Sequence, residues 1–145
     1  MQSKLNRLLN KIDIVPIPLT LVQAANESAW GTSRFSRVGL NFFGIWCFKK
    51  GCGMVPNGRD FDADHEVEAF QSVDDAIRRY TFNINTNRAY RVFRKIRKQY
   101  RDDNLPLSSE ALAEGLTHYS ERGDEYVNEL IEMIRHNQHY FSYTL

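Results

Sequence analysis

Long apolar runs, a rich cysteine framework and an excess of one charge are all missing from this 145-residue sequence. The longest apolar stretch, Ile14 to Val22, is broken by Pro16 and Pro18. It falls far short of the roughly 20 residues that span a bilayer, so no membrane span is expected. Only two cysteines are present, Cys47 and Cys52, too few to close a four-ligand zinc site, and no metal is expected. Lys+Arg (19) and Asp+Glu (18) nearly cancel, which argues against a nucleic-acid partner chosen by overall charge. The opening Met-Gln-Ser-Lys-Leu-Asn lacks a charged segment followed by an apolar one and a cleavage site. The expectation is therefore a cytosolic chain, or a mature or trimmed form.

The content that is present, 42% hydrophobic and 12% aromatic, suffices for one sizeable core but not for two ordinary domains. A single domain over residues 1–145 is expected. Leu5, Leu8, Leu9 and Ile12 repeat at helical spacing. After Ile-Val-Pro-Ile-Pro, Thr20 to Trp30 reads as an almost wholly buried helix, with Glu27 near its end. From Gly31 to Phe70 no 3.6-residue period persists and six of the eight glycines gather, which describes loops and short strands, about residues 36–70. Arg59 to Phe70 reads as a possible hairpin, against the low strand propensity of Asp60, Asp62 and Asp64. Helical order returns at the capping sequence Ser72-Val-Asp-Asp75, with Val73, Ala76, Ile77 and Tyr80 as a buried stripe. It continues through Ala89, Phe93, Ile96 and Tyr100, through a short helix capped by Ser108 or Ser109, and through Val127, Leu130, Ile131 and Ile134. The class is mainly α: about six helices beside a small β-hairpin or loop lobe.

Glu27 is the anomaly. A carboxylate at the end of an apolar helix either reaches solvent or has its pKa raised by burial. The cysteines sit in Cys-Phe-Lys-Lys-Gly-Cys-Gly, where a turn could bring them within bonding reach. In an oxidising envelope a disulfide is expected there, and in a cytosol two unpaired thiols. The cations Arg88, Arg91, Arg94, Lys95, Arg97, Lys98 and Arg101, interleaved with aromatics, read first as the solvated outer face of a helix and second as a phosphate- or glycan-facing surface. No base-reading motif accompanies them, so nucleic acid is not an expected partner. His65-Glu66 lacks the second histidine of a zincin motif, and His136 with His139 lacks a third ligand.

The run Glu27-Ser-Ala-Trp-Gly31, followed by Asn41-Phe-Phe-Gly-Ile45, resembles the signature of glycoside hydrolase family 73, the glucosaminidase domains of bacterial autolysins and flagellar muramidases. Trp46 to Pro56, His65 to Val67, Asn83 to Thr86 and Tyr119 to Gly123 resemble motifs of its Bax-type branch. The resemblance covers about residues 16–137. It implies a lysozyme-like α+β fold in which Glu27, at the floor of a glycan cleft, protonates the leaving glycosidic oxygen, helped by an apolar wall such as Trp30 or Phe42. Glycosidases generally use a second carboxylate. Glu66 is the choice here, with Asp60, Asp62, Asp64 and Glu68 as alternatives, although the wider family sets its second Glu slightly earlier in the hairpin. The resemblance further implies Asn41, Phe42 and Trp46 as cleft-lining groups. Tyr119 and Tyr126 match the family tyrosines and are candidate substrate contacts, either of which could instead be core; a site role is favoured for Tyr119. No cofactor is implied.

The expected activity is hydrolysis of β-1,4 bonds of N-acetylglucosamine in peptidoglycan glycan strands by a monomer in the periplasm or envelope of a bacterium. A lytic transglycosylase or muramidase on the same fold is the enzymatic alternative, though the Gly-Leu-Met-Gln segment usual in transglycosylases is absent. A wall-binding domain without turnover is the alternative from another class.

Overall fold

The computed structural model describes residues 2–142 and is mainly α-helical with one small sheet. The described helices are α1 (Gln2–Leu9), α2 (Ile17–Glu27), α3 (Arg34–Gly39), α4 (Val73–Thr86), α5 (Arg91–Asp102), α6 (Ser109–Ala113), α7 (Asp124–His136) and α8 (Gln138–Phe141). Three strands, β1 (Trp46–Cys47), β2 (Gly53–Met54) and β3 (Glu66–Glu68), form an antiparallel sheet in the order β1-β3-β2. The residues group into two compact units, Gln23–Tyr80 and Met1–Val22 with Thr81–Leu145.

In the unit of residues 23–80, Phe43 and Tyr80 stack at 4.2 Å between ring centroids, and the Tyr80 hydroxyl donates to Gln23 Oε1. Gln23 and Tyr80 are both fully buried, so this hydrogen bond satisfies polar atoms that would otherwise be costly to desolvate. β3 is the central strand: Trp46 pairs with Val67 and Cys47 with Glu66 on one side, Gly53 with Glu68 and Met54 with Val67 on the other. The expected hairpin over Arg59–Phe70 therefore does not form. Residues 59–65, with their three aspartates, stay out of the sheet, and β3 pairs with segments earlier in the chain.

α2 stops at Glu27 instead of reaching Trp30, because Ala29, Trp30 and Gly31 take φ values of 50°, 57° and 76° in succession, a left-handed run that no right-handed helix accommodates. Trp30 is consequently 69% exposed rather than buried. Within the α4 stripe Ala76 and Tyr80 are buried, whereas Val73 and Ile77 face outward. Ser72 caps α4 as expected, its Oγ accepting from the Asp75 N–H and donating to the Asp75 carboxylate.

The other unit packs Phe93 of α5, Leu112 of α6 and Leu130 and Ile134 of α7 into a common core. Arg94 and Arg97 correct the reading of α5 as carrying all its cations on a solvated face, since both are buried. Arg97 Nη1 donates to the carbonyls of Asp13 and Ile14, and Nη2 to the Asn10 carbonyl and Asn85 Oδ1. One guanidinium thus ties the segment after α1 to the end of α4, a task its planar fork of donors suits.

Candidate active site

The site is built where α2 ends. Ser28 is buried, its Oγ donating to the Ala24 carbonyl (2.6 Å) and accepting from the Gly31 N–H (2.7 Å). That pair of bonds supports the left-handed turn by tying the Gly31 N–H back, through the Ser28 hydroxyl, to the last turn of α2. The turn sets Glu27 on the last helical residue. Phe42 lies against Gly31, at a distance that would put its Cε1 3.7 Å from a Cβ built there.

The second motif comes to the first through Asn41. Its Oδ1 accepts from the N–H groups of Phe43 and Ile45, and its Nδ2 donates to the carbonyls of Ile45 and Glu68. All four hydrogen-bonding positions of this buried amide are thereby occupied within the protein. Asn41 is therefore a positioning residue and not the sugar contact expected of it. What it positions is the loop in which Gly44 adopts φ +63°, beside the carboxylate of Glu27. A Cβ at Gly44 would lie 2.9 Å from Glu27 Oε2. Glycine suits both that backbone angle and that approach. The Glu-Ser-x-Trp-Gly and Asn-x-Phe-Gly-Ile segments meet at this point.

Trp46 on β1 is half exposed and stacks on His65 at 3.8 Å with 14° between the planes. The paired rings form a flat aromatic surface of the kind that packs against the apolar face of a sugar. His65 was not among the expected site residues; no periodicity links positions 46 and 65, and only strand pairing brings them together.

Glu66 has a different task from the one expected. The residue is 6% exposed, and its two oxygens accept from the backbone N–H groups of Gly51 (3.0 Å) and Gly53 (2.9 Å). A carboxylate held this way is neither free to activate water nor free to attack a sugar carbon, which corrects its assignment as base or nucleophile. It anchors the turn closed by the Cys47–Cys52 disulfide, whose Cα atoms are 6.3 Å apart. Among the described residues Cys47, Cys52 and Glu66 are the one cluster with metal-ligand spacing, and there the two sulfurs are bonded to each other. Glu68, another alternative for the second carboxylate, is ion-paired with Arg79 at 3.3 Å. Asp60, Asp62 and Asp64 are exposed on the loop before β3.

Two predictions follow from the geometry of this turn. The Gly51 N–H first, then that of Gly53, hold the Glu66 pKa below its ordinary 4.5, outweighing desolvation. A depressed carboxylate stabilises the fold above its unfolded pKa, and that stabilisation is lost as pH falls through the folded value, below 4.5. Glu66→Gln should flatten the acid limb of a stability-versus-pH curve below that point, measured by urea unfolding followed through tryptophan fluorescence. An unchanged acid limb would show that Glu66 does not hold the turn. Separately, replacing both cysteines by serine should cost about 2 kcal/mol, the loop-closure value for so short a ring, seen as a lower urea midpoint at unchanged slope.

Tyr119 and Tyr126 belong to the other unit. Their rings stack at 5.8 Å and 6°, and Tyr119 also meets Tyr90 at 5.8 Å. Tyr126 is fully buried, which makes it a core residue in place of the expected substrate contact, while Tyr119 is partly exposed.

Residues 2–139 match the family model described as mannosyl-glycoprotein endo-beta-N-acetylglucosaminidase. The chain belongs to the glucosaminidase family. A curated relative, Protein bax of Escherichia coli strain K12, is 36% identical over 133 residues, covering 92% of this chain and 47% of that protein. The glucosaminidase domain described here thus spans about half the length of that relative. No solved structure matches it significantly. No described helix of the glucosaminidase domain is long and apolar enough to cross a membrane.

Proposed function

We propose that this glucosaminidase domain hydrolyses β-1,4 glycosidic bonds of N-acetylglucosamine in bacterial peptidoglycan strands, with Glu27 as general acid. The observation that carries the reading is the seating of the Glu27 carboxylate against Gly44, at the junction of the two family motifs. In this role Glu27 donates its proton to the glycosidic oxygen as the bond from the anomeric carbon breaks, and water completes the hydrolysis at that carbon.

Phe42, Trp30 and the Trp46–His65 pair line the glycan path. The group opposite the acid is a carboxylate of the Asp60–Asp64 loop or the acetamido oxygen of the substrate, since the Glu66 carboxylate is engaged by the turn. The disulfide fits an oxidising compartment, and the protein acts in the periplasm or cell envelope as a monomer.

The test is mass spectrometry of purified peptidoglycan digested by the protein and then reduced with borohydride. Reduced N-acetylglucosamine ends support the reading. Reduced muramic ends would move it to a muramidase and anhydro-muramic ends to a lytic transglycosylase. Binding of glycan without release of products would make it a wall-binding domain.

A further inference from the structure

The helix α1 leaves its apolar stripe uncovered: Leu5, Leu8, Leu9 and, just past the helix, Ile12 are each more than half exposed. Beside that stripe, at spacings of three and four residues, run Lys4, Arg7 and Lys11. They line a groove of about 600 Å³ whose other wall is the Arg91, Lys95 and Lys98 face of α5. Among the described residues no acidic side chain lines this groove, and of its described cations only Lys98 has an ion-pair partner, Asp102.

At the groove Arg94 is 8% exposed, with Nη1 donating to the carbonyls of Ile84 and Asn87 and no described carboxylate within ion-pair distance. Burial first, and then the neighbouring Arg91, push its pKa down.

We propose that this face docks the protein on an anionic phospholipid surface, the leucines entering the headgroup boundary while the lysines and arginines meet lipid phosphates. Cations flanking an exposed apolar stripe are what such a surface selects. A soluble polyanion would satisfy the cations but leave the leucines in water. A second copy of this chain would bury the leucines but set two sets of cations against each other across a two-fold interface.

The experiment is co-sedimentation with vesicles of equal parts phosphatidylglycerol and phosphatidylethanolamine, and with phosphatidylcholine vesicles, at low and high salt. The protein should partition to the anionic vesicles alone and be released by salt. With each surface cation contributing about fivefold, neutralising Lys4, Arg7 and Lys11 to Gln should lower partitioning by about a hundredfold. Leu5, Leu8 and Leu9 changed to Ser should lower it at least about tenfold. Arg91→Gln with Lys95→Gln, on exposed positions of α5, should lower it by roughly twentyfold and keeps the test decisive if the α1 variants lose helix. Three results overturn the proposal: no binding to anionic vesicles, polyphosphate binding that is indifferent to the leucine changes, or a dimer in sedimentation velocity that the leucine changes dissociate.

Discussion

Glu27→Gln should lower the release of reduced N-acetylglucosamine ends from peptidoglycan by at least about a hundredfold, the lower end of what a positioned general acid supplies. The amide keeps the shape of the carboxyl group but cannot deliver its proton to a leaving oxygen. Glu27 is only partly buried, so the fold should survive, with an unchanged far-ultraviolet spectrum and a urea midpoint close to wild type. Near-normal turnover by this variant would remove Glu27 from the mechanism. A loss of activity matched by a loss of folded protein would assign the residue to structure instead.

Gly53→Ala should have the largest effect on stability, about 3 kcal/mol or more. A Cβ at this position would stand 1.9 Å from the Val67 carbonyl oxygen and 2.8 Å from the Glu68 Cα, both backbone atoms of the central strand. No side-chain rotation relieves that collision, so β2 must move away from β3, and the Gly53 N–H then withdraws from Glu66. Gly58→Ala is the control: its φ of +75° disfavours a side chain, but nothing lies within 4 Å. It should cost only about 1 kcal/mol, the strain of a left-handed residue. Equal losses in the two variants, measured by urea unfolding, would show that β2 is not held against β3 as described.

The helices α4, α5 and α7 were legible because local signals agree there: a 3.6-residue apolar period and, for α4, a serine cap. Ser108 likewise caps α6, its Oγ accepting from the Ala111 N–H. The six-residue α3 escaped because it is too short to display a period and lies among glycines and aromatics, although Ser33 accepts from the Ser36 N–H as an ordinary cap. Arg97 was hidden by its own charge. Its place four residues after Phe93 and three before Tyr100 lies inside the apolar stripe, and only the carbonyls it meets from distant segments make burial tolerable.

The candidate site divides in the same way. Glu27 stood out in the sequence, as a carboxylate ending an apolar helix and as a motif residue. The roles of Asn41 and Glu66 depend on hydrogen bonds to Glu68, 27 positions away, and to Gly51, 15 positions away. Motif membership marked both residues, but a motif does not distinguish a group that touches substrate from one that holds a loop.

The bond between Cys47 and Cys52 also bears on how the protein must be prepared. Expressed in a reducing host cytosol, the chain emerges as a dithiol, with the turn around Glu66 untethered on one side and Trp46 next to it. With the proposed activity, a feeble preparation of that kind would be mistaken for a dead enzyme. Exposure to a glutathione redox couple should then restore the proposed turnover at the pace at which thiols disappear, and a secretory route would close the bond from the start.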